Sequence, residues 1–184
     1  MRAALTRFIG KGRLEFLFDG IFAIAMTILV LELKVPELQD RHSVSELWNG
    51  IVEHGATFFS YLLSFVMLGM LWFRHNEQFH HVTKVSLGML MLQLAQLALA
   101  AFFPFCAALL GRYPTNHLSQ AIYIGCVMLY MWCAAFHWIR AHRLGVLGGE
   151  IDAAKYLEVR KRNLMGAGVL TVMFVAYGVQ VLGL

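Results

Sequence analysis

The stretch Phe16 to Val35 reads FLFDGIFAIAMTILVLELKV. Its apolar length matches the roughly 20 residues that a helix needs to cross the hydrocarbon core of a bilayer. Pro36 follows at once, and proline cannot continue a helix interior cheaply. Four more runs of this kind occur, at about Val52 to Phe73, Val85 to Leu110, Leu118 to Ile139 and Asn163 to Leu184. None shows the strict alternation of a strand, and all are too long for barrel strands. The chain therefore reads as an all-α integral membrane protein, one transmembrane domain over residues 1–184, built as a bundle of five helices.

Composition agrees. Of 184 residues, 59% are hydrophobic and 14% charged, whereas a soluble domain carries about a quarter charged residues. The positive charges alternate by loop. Arg2, Arg7, Lys11 and Arg13 precede the first span. Arg74 and Lys84 bracket the second connection. Arg140, Arg143, Lys155, Arg160, Lys161 and Arg162 occupy the fourth, while only Lys34, Arg41 and Arg112 fall on the other side. By the positive-inside rule the N-terminus is cytoplasmic. The basic balance is thus a topology signal divided among loops, and no nucleic-acid partner is implied. Asp19 interrupts the first apolar run and the run continues to Leu33, so the N-terminal segment reads as a span and not as a cleaved signal peptide.

The connections carry their own signals. Glu37 to Asn49 is polar and expected outside the membrane. Pro104 is expected to kink the third span or mark a break near its outer end. Leu144, Leu147, Ile151, Ala154 and Leu157 recur at helical spacing in the fourth connection, which fits either an amphipathic surface helix or a solvated basic loop.

Enzyme chemistry finds no support. No nucleophile-elbow, zinc-protease, Walker or Rossmann pattern occurs. The eight histidines form no closed metal pattern with one another or with cysteine, so no metal site and no cofactor are expected. Cys106, Cys126 and Cys133 are dispersed in apolar segments and read as packing residues.

The first span holds the candidate site. On a helical wheel Leu17, Gly20, Ile24, Thr27, Ile28, Leu31 and Val35 share one broad stripe, while Asp19 points roughly the other way. A carboxylate is costly to immerse in lipid, so Asp19 requires a protein partner. The stripe fits helix–helix packing, with Gly20 and Thr27 permitting close approach. That packing is the stronger reading of the spacing alone; in a symmetric oligomer the stripe could instead converge on a rotation axis, where apolar rings form a constriction that gates by dewetting.

The stretch Arg13 to Pro36 resembles the opening signature of the transmembrane-protein-175 potassium channel family. That signature is Arg, three variable residues and Phe-Ser-Asp, then Gly, Phe-Ala-Ile-Ala, Thr and Val-Leu-Glu-Leu. The chain has Arg13, Asp19, Gly20, Phe22-Ala23-Ile24-Ala25, Thr27 and Val30-Leu31-Glu32-Leu33 at the matching places, with Leu17 and Phe18 where the family has Phe and Ser. Phe59-Ser60-Tyr61, Ser64-Phe65 and Trp72-Phe73-Arg74-His75 are similar to its second helix, and Phe102-Phe103-Pro104-Phe105 to the end of its third.

The resemblance implies a bacterial inner-membrane homotetramer that conducts potassium passively, without a Thr-Val-Gly-Tyr-Gly filter loop. It implies a pore lined by the first helix, narrowed at Ile24, with Thr27, Ile28 and Leu31 on the same wall. It also implies a polar network of Arg13, Asp19 and His75. Bacterial members of the family usually have six spans, against the five read here. Two other readings stand beside the channel. One is a non-conducting membrane scaffold or assembly protein. The other is a proton-coupled transporter using Asp19 and His75, for which the inverted repeats common in transporters are not visible.

Overall fold

The computed structural model describes residues 10–148 and 151–183. Arg2, Arg7 and the final residue of the fifth expected span lie outside them. Six helices occur among the described residues: α1 (Lys11–Ile28), α2 (Val44–Glu53), α3 (Gly55–His80), α4 (Leu87–Arg112), α5 (His117–Arg143) and α6 (Ala153–Leu182). Five of them, all but α2, are long and apolar enough to cross a membrane.

Local chemistry sets most of the ends. The side chains of Ser86, Asn116 and Asp152 accept from backbone N–H groups in the first turns of α4, α5 and α6, satisfying donors that a helix start leaves free. α6 stops at Gly183, whose φ of 70° is a left-handed conformation that glycine adopts without strain. α1 tightens into a 3-10 turn at Leu29–Glu32 before Pro36.

Three expectations are extended or corrected. The polar segment after Pro36 contains a helix. Ser43 caps the N–H of Glu46, whose carboxylate in turn accepts from the backbone of Gln39 and Asp40, and α2 follows. The second span accordingly begins at Gly55. Of the kink and the break expected at Pro104, the break does not occur, since α4 continues through it to Arg112. The fourth connection is neither a separate amphipathic helix nor a free loop. α5 runs to Arg143, a turn with Gly145 at φ 63° reverses the chain, and the basic segment from Ala153 onward is the start of α6.

That reversal ties two connections together. Thr83 N donates to Val146 O at 2.8 Å and Gly148 N to His81 O at 2.8 Å, around an isolated antiparallel bridge between Val82 and Leu147. Lys11 Nζ at the start of α1 donates to His80 O at 2.9 Å. The start of α1, the α3–α4 connection and the α5–α6 connection therefore share one end of the bundle, the end richest in Lys and Arg.

One apolar core joins the five long helices. Phe18, Phe22, Ala25 and Leu29 of α1 meet Leu68 and Leu71 of α3, Leu97, Ala100 and Phe103 of α4, and Tyr123, Val127 and Tyr130 of α5, with Ala167 entering from α6. In lipid this packing gains dispersion and shape fit more than hydrophobic transfer. Small residues permit it: a Cβ on Gly111 of α4 would stand 3.1 Å from Thr57 Cα of α3. Cys106 and Cys126 are buried in this core as free thiols.

Candidate pore-lining face and its seat

α1 is two-sided. Leu14, Phe18, Phe22, Ala25 and Leu29 are buried against the rest of the chain. The opposite side carries Gly20, Ile24, Thr27, Ile28 and Leu31, all exposed; Ile24 is 59% and Leu31 73% accessible. The spacing-derived stripe is therefore the side of α1 that the chain's own core leaves uncovered. A Cβ on Gly20 would meet nothing within 4 Å, so the subunit's own packing does not require that glycine.

Thr27 is oriented by its own helix. Its Oγ1 lies 2.9 Å from the carbonyl oxygens of Ala23 and Ile24, to which its proton is donated. The hydroxyl oxygen keeps acceptor capacity on the exposed side.

The buried side of α1 rests on aromatic contacts. Phe18 lies flat on His75 of α3, with ring centroids 3.5 Å apart and planes 3° from parallel. Phe22 meets Tyr130 of α5 edge-on at 6.1 Å. At the edge of this seat, Trp72 Nε1 donates to Asp19 Oδ1 at 2.8 Å.

Asp19 thus has a protein partner, as the cost of immersing it demands, and that partner is Trp72. Its expected contact with Arg13 or His75 is not formed within the chain. Arg13 and Asp19 are six residues apart, which puts them on different faces of a regular helix. Arg13 is exposed and its side chain has no hydrogen-bond or ion-pair partner among the described residues. His75 turns inward, stacked between Phe18 and Phe79. Phe18, where the family signature has Ser, covers the His75 ring. Trp72 stands one turn before His75 and reaches the exposed edge of α1.

A second polar cluster, unread in the sequence, joins α3 to α6. Asn163 is fully buried. Its Oδ1 accepts from Arg74 at 3.0 Å and from Gln78 Nε2 at 3.2 Å, while its Nδ2 donates to Gln78 Oε1 at 3.0 Å. Arg162 pairs with Glu77 at 2.7 Å beside it. At the other end of the bundle Glu32, Lys34, His54, Thr57 and Arg112 surround an open cavity of about 520 Å³ next to the 3-10 turn of α1. Among the described residues no three His, Cys, Asp or Glu side chains group as a metal site.

Five helices long and apolar enough to span a bilayer, packed around one core, define the class of the polytopic α-helical membrane protein. Residues 13–104 match the family described as the endosomal/lysosomal potassium channel TMEM175. The chain belongs to this family. It is 30% identical over 163 residues to a potassium channel of Streptomyces collinus, covering 85% of this chain and 77% of that protein. It is 29% identical over 172 residues to a potassium channel of Chamaesiphon minutus, covering 89% and 82%. To the endosomal/lysosomal proton channel TMEM175 of Homo sapiens it is 28% identical over 131 residues, 67% of this chain but only 26% of that longer protein. The crystal structure of a lysosomal potassium-selective channel TMEM175 homolog from Chamaesiphon minutus superposes with a TM-score of 0.80 at 26% identity, covering 92% of this chain and 87% of that one.

Proposed function

We propose that this chain is the subunit of a passive, potassium-selective channel of the bacterial inner membrane, with α1 lining a pore on the axis of a homotetramer. The observation that carries the proposal is the uncovered face of α1. Ile24, Thr27, Ile28 and Leu31 stand outside the subunit core on a helix whose other side is fully seated. Ile24 forms the narrowest ring. Isoleucine offers no oxygen ligands, so the ring passes a hydrated or partly hydrated ion when open and excludes water when closed. Thr27 supplies hydroxyl oxygens one turn away and sets the ion preference. Gly20 lets neighbouring helices approach at the basic end. Potassium is the permeant ion and no cofactor takes part.

The orientation follows from charge. The start of α1 and the α3–α4 and α5–α6 connections share the Lys- and Arg-rich end, which faces the cytoplasm. The cavity around Glu32, Lys34 and Arg112 then opens on the outer side, as a vestibule to the pore.

The test is ion flux from liposomes containing the purified protein. Potassium efflux well above sodium efflux supports the channel, and Thr27→Ala should narrow the difference. Absence of potassium flux under all conditions would instead support a non-conducting scaffold.

A further inference from the structure

Behind the seat of α1, three helices bound a small cavity that mixes polar groups with the apolar side chains of Leu71, Phe79 and Met131. His75 and Arg74 of α3, Gln96 of α4, and Tyr130 and His137 of α5 line it. It measures about 10 Å³, close to the ~10–15 Å³ that one water molecule needs. His75 is 8%, Tyr130 3% and Gln96 2% accessible. The Nε2 of His75 and the hydroxyl of Tyr130 are both buried and have no hydrogen-bond partner among the described residues. Buried polar atoms nearly always find a partner, in the protein or in an ordered water.

We propose that this cavity is a binding site for a single water molecule, bridging His75 Nε2 and the Tyr130 hydroxyl. Gln96 or Arg74 supplies a third bond, within the two to four that a buried water makes. A permeant cation does not suit the site. The Arg74 guanidinium, already bonded to Asn163, places positive charge beside it.

The bridged residues are two of those that α1 packs against, beside Leu68 and Leu71 of α3 and Leu97, Ala100 and Phe103 of α4. Phe18 stacks on His75 and Phe22 meets Tyr130 edge-on. The water fixes the ring orientations of both supports from behind, making His75 and Tyr130 positioning residues for the helix that carries Ile24 and Thr27. This link to conduction rests on the pore reading above. The water site does not.

A crystal structure of the assembled channel, at a resolution that shows ordered water, tests the site. One peak is expected in every subunit, about 2.7–3.2 Å from both His75 Nε2 and the Tyr130 hydroxyl. No anomalous signal is expected there after potassium is exchanged for thallium. His75 and Tyr130 turned onto protein partners with no peak between them, or a thallium signal at that position, overturns the proposal. Tyr130→Phe keeps the ring under Phe22 and removes the hydroxyl, and His75→Phe keeps the stack under Phe18 and removes Nε2. In either variant the peak should vanish and potassium flux should change several-fold with assembly intact. Wild-type flux in both folded variants overturns the positioning role. If the wild-type protein shows no flux, the pore reading fails while the peak still decides the water site.

Discussion

Phe18 and His75 lie face to face, 3.5 Å between ring centroids, and this stack fixes α1 to α3 at the level where the neighbouring Asp19 meets Trp72. The uncovered side of α1 is therefore positioned by what its other side rests on. The groups it rests on come from α3, α4 and α5, far away in the chain.

Removing the Phe18 ring should loosen that seat. Phe18→Ala leaves a cavity over His75 in a site with no exposed face. Because lipid is as apolar as the protein interior, the transfer component shrinks and the cavity component remains. A loss of about 3 kcal/mol is expected, at the low end for such truncations. Thermal unfolding in detergent measures it, with Phe16→Ala as control, since Phe16 is 78% accessible in the chain. Equal losses in the two variants would show that the His75 stack contributes nothing special.

The Trp72–Asp19 hydrogen bond should appear as coupling. Trp72→Phe removes the donor and Asp19→Ala removes the acceptor. Their double-mutant cycle should return about 1–2 kcal/mol, between the usual strength of a hydrogen bond to a charged group and the smaller values typical within membranes. Additive effects would mean that Asp19 finds its real partner elsewhere, for instance on a neighbouring subunit.

Asn163 and Arg162 are adjacent but should differ in cost. Asn163→Leu strips partners from Arg74 and Gln78 at a fully buried position, so about 2 kcal/mol should be lost. The Arg162–Glu77 pair keeps 38% and 30% side-chain accessibility, and Arg162→Met should cost under about 1 kcal/mol. Chemical denaturation of the two variants ranks them. The reverse order would place the anchoring of α6 in the ion pair.

The five spans are legible in the sequence because the bilayer imposes a length that composition alone reveals. The seat of α1 is not, because nothing local to Phe18 or Phe22 identifies His75 and Tyr130 as their partners. Hydropathy likewise ends the fifth span at Asn163. Yet Tyr156, Val159 and Asn163 recur on one buried face, and the intervening Arg160 and Lys161 point outward. That periodicity extends α6 back to Ala153. Ser43 followed by Glu46 was a readable capping signal for α2. The α1 stripe could be read because helical spacing alone places Ile24, Thr27, Ile28 and Leu31 together. Whether a stripe packs inside its own chain or faces outward depends on tertiary contacts, and the chain's core lies on the opposite side.

Orientation is testable by labelling. Ser43→Cys should react with a membrane-impermeant thiol reagent applied from outside, and Arg143→Cys only from the cytoplasmic side. Labelling of position 43 from the cytoplasm alone would reverse the topology.

If the uncovered face of α1 lines the ion path, a thiol placed on it should block flux when modified. The native thiols Cys106 and Cys126 are buried and Cys133 is half-buried, so all three are first replaced by alanine and conduction is verified. Ile24→Cys is then introduced, with Phe59→Cys on the exposed side of α3 as control. The account predicts that a water-soluble thiol reagent progressively stops potassium flux through the Ile24→Cys channel and leaves the Phe59→Cys channel conducting. Undiminished flux after complete modification of Cys at position 24, or equal block at position 59, would contradict it.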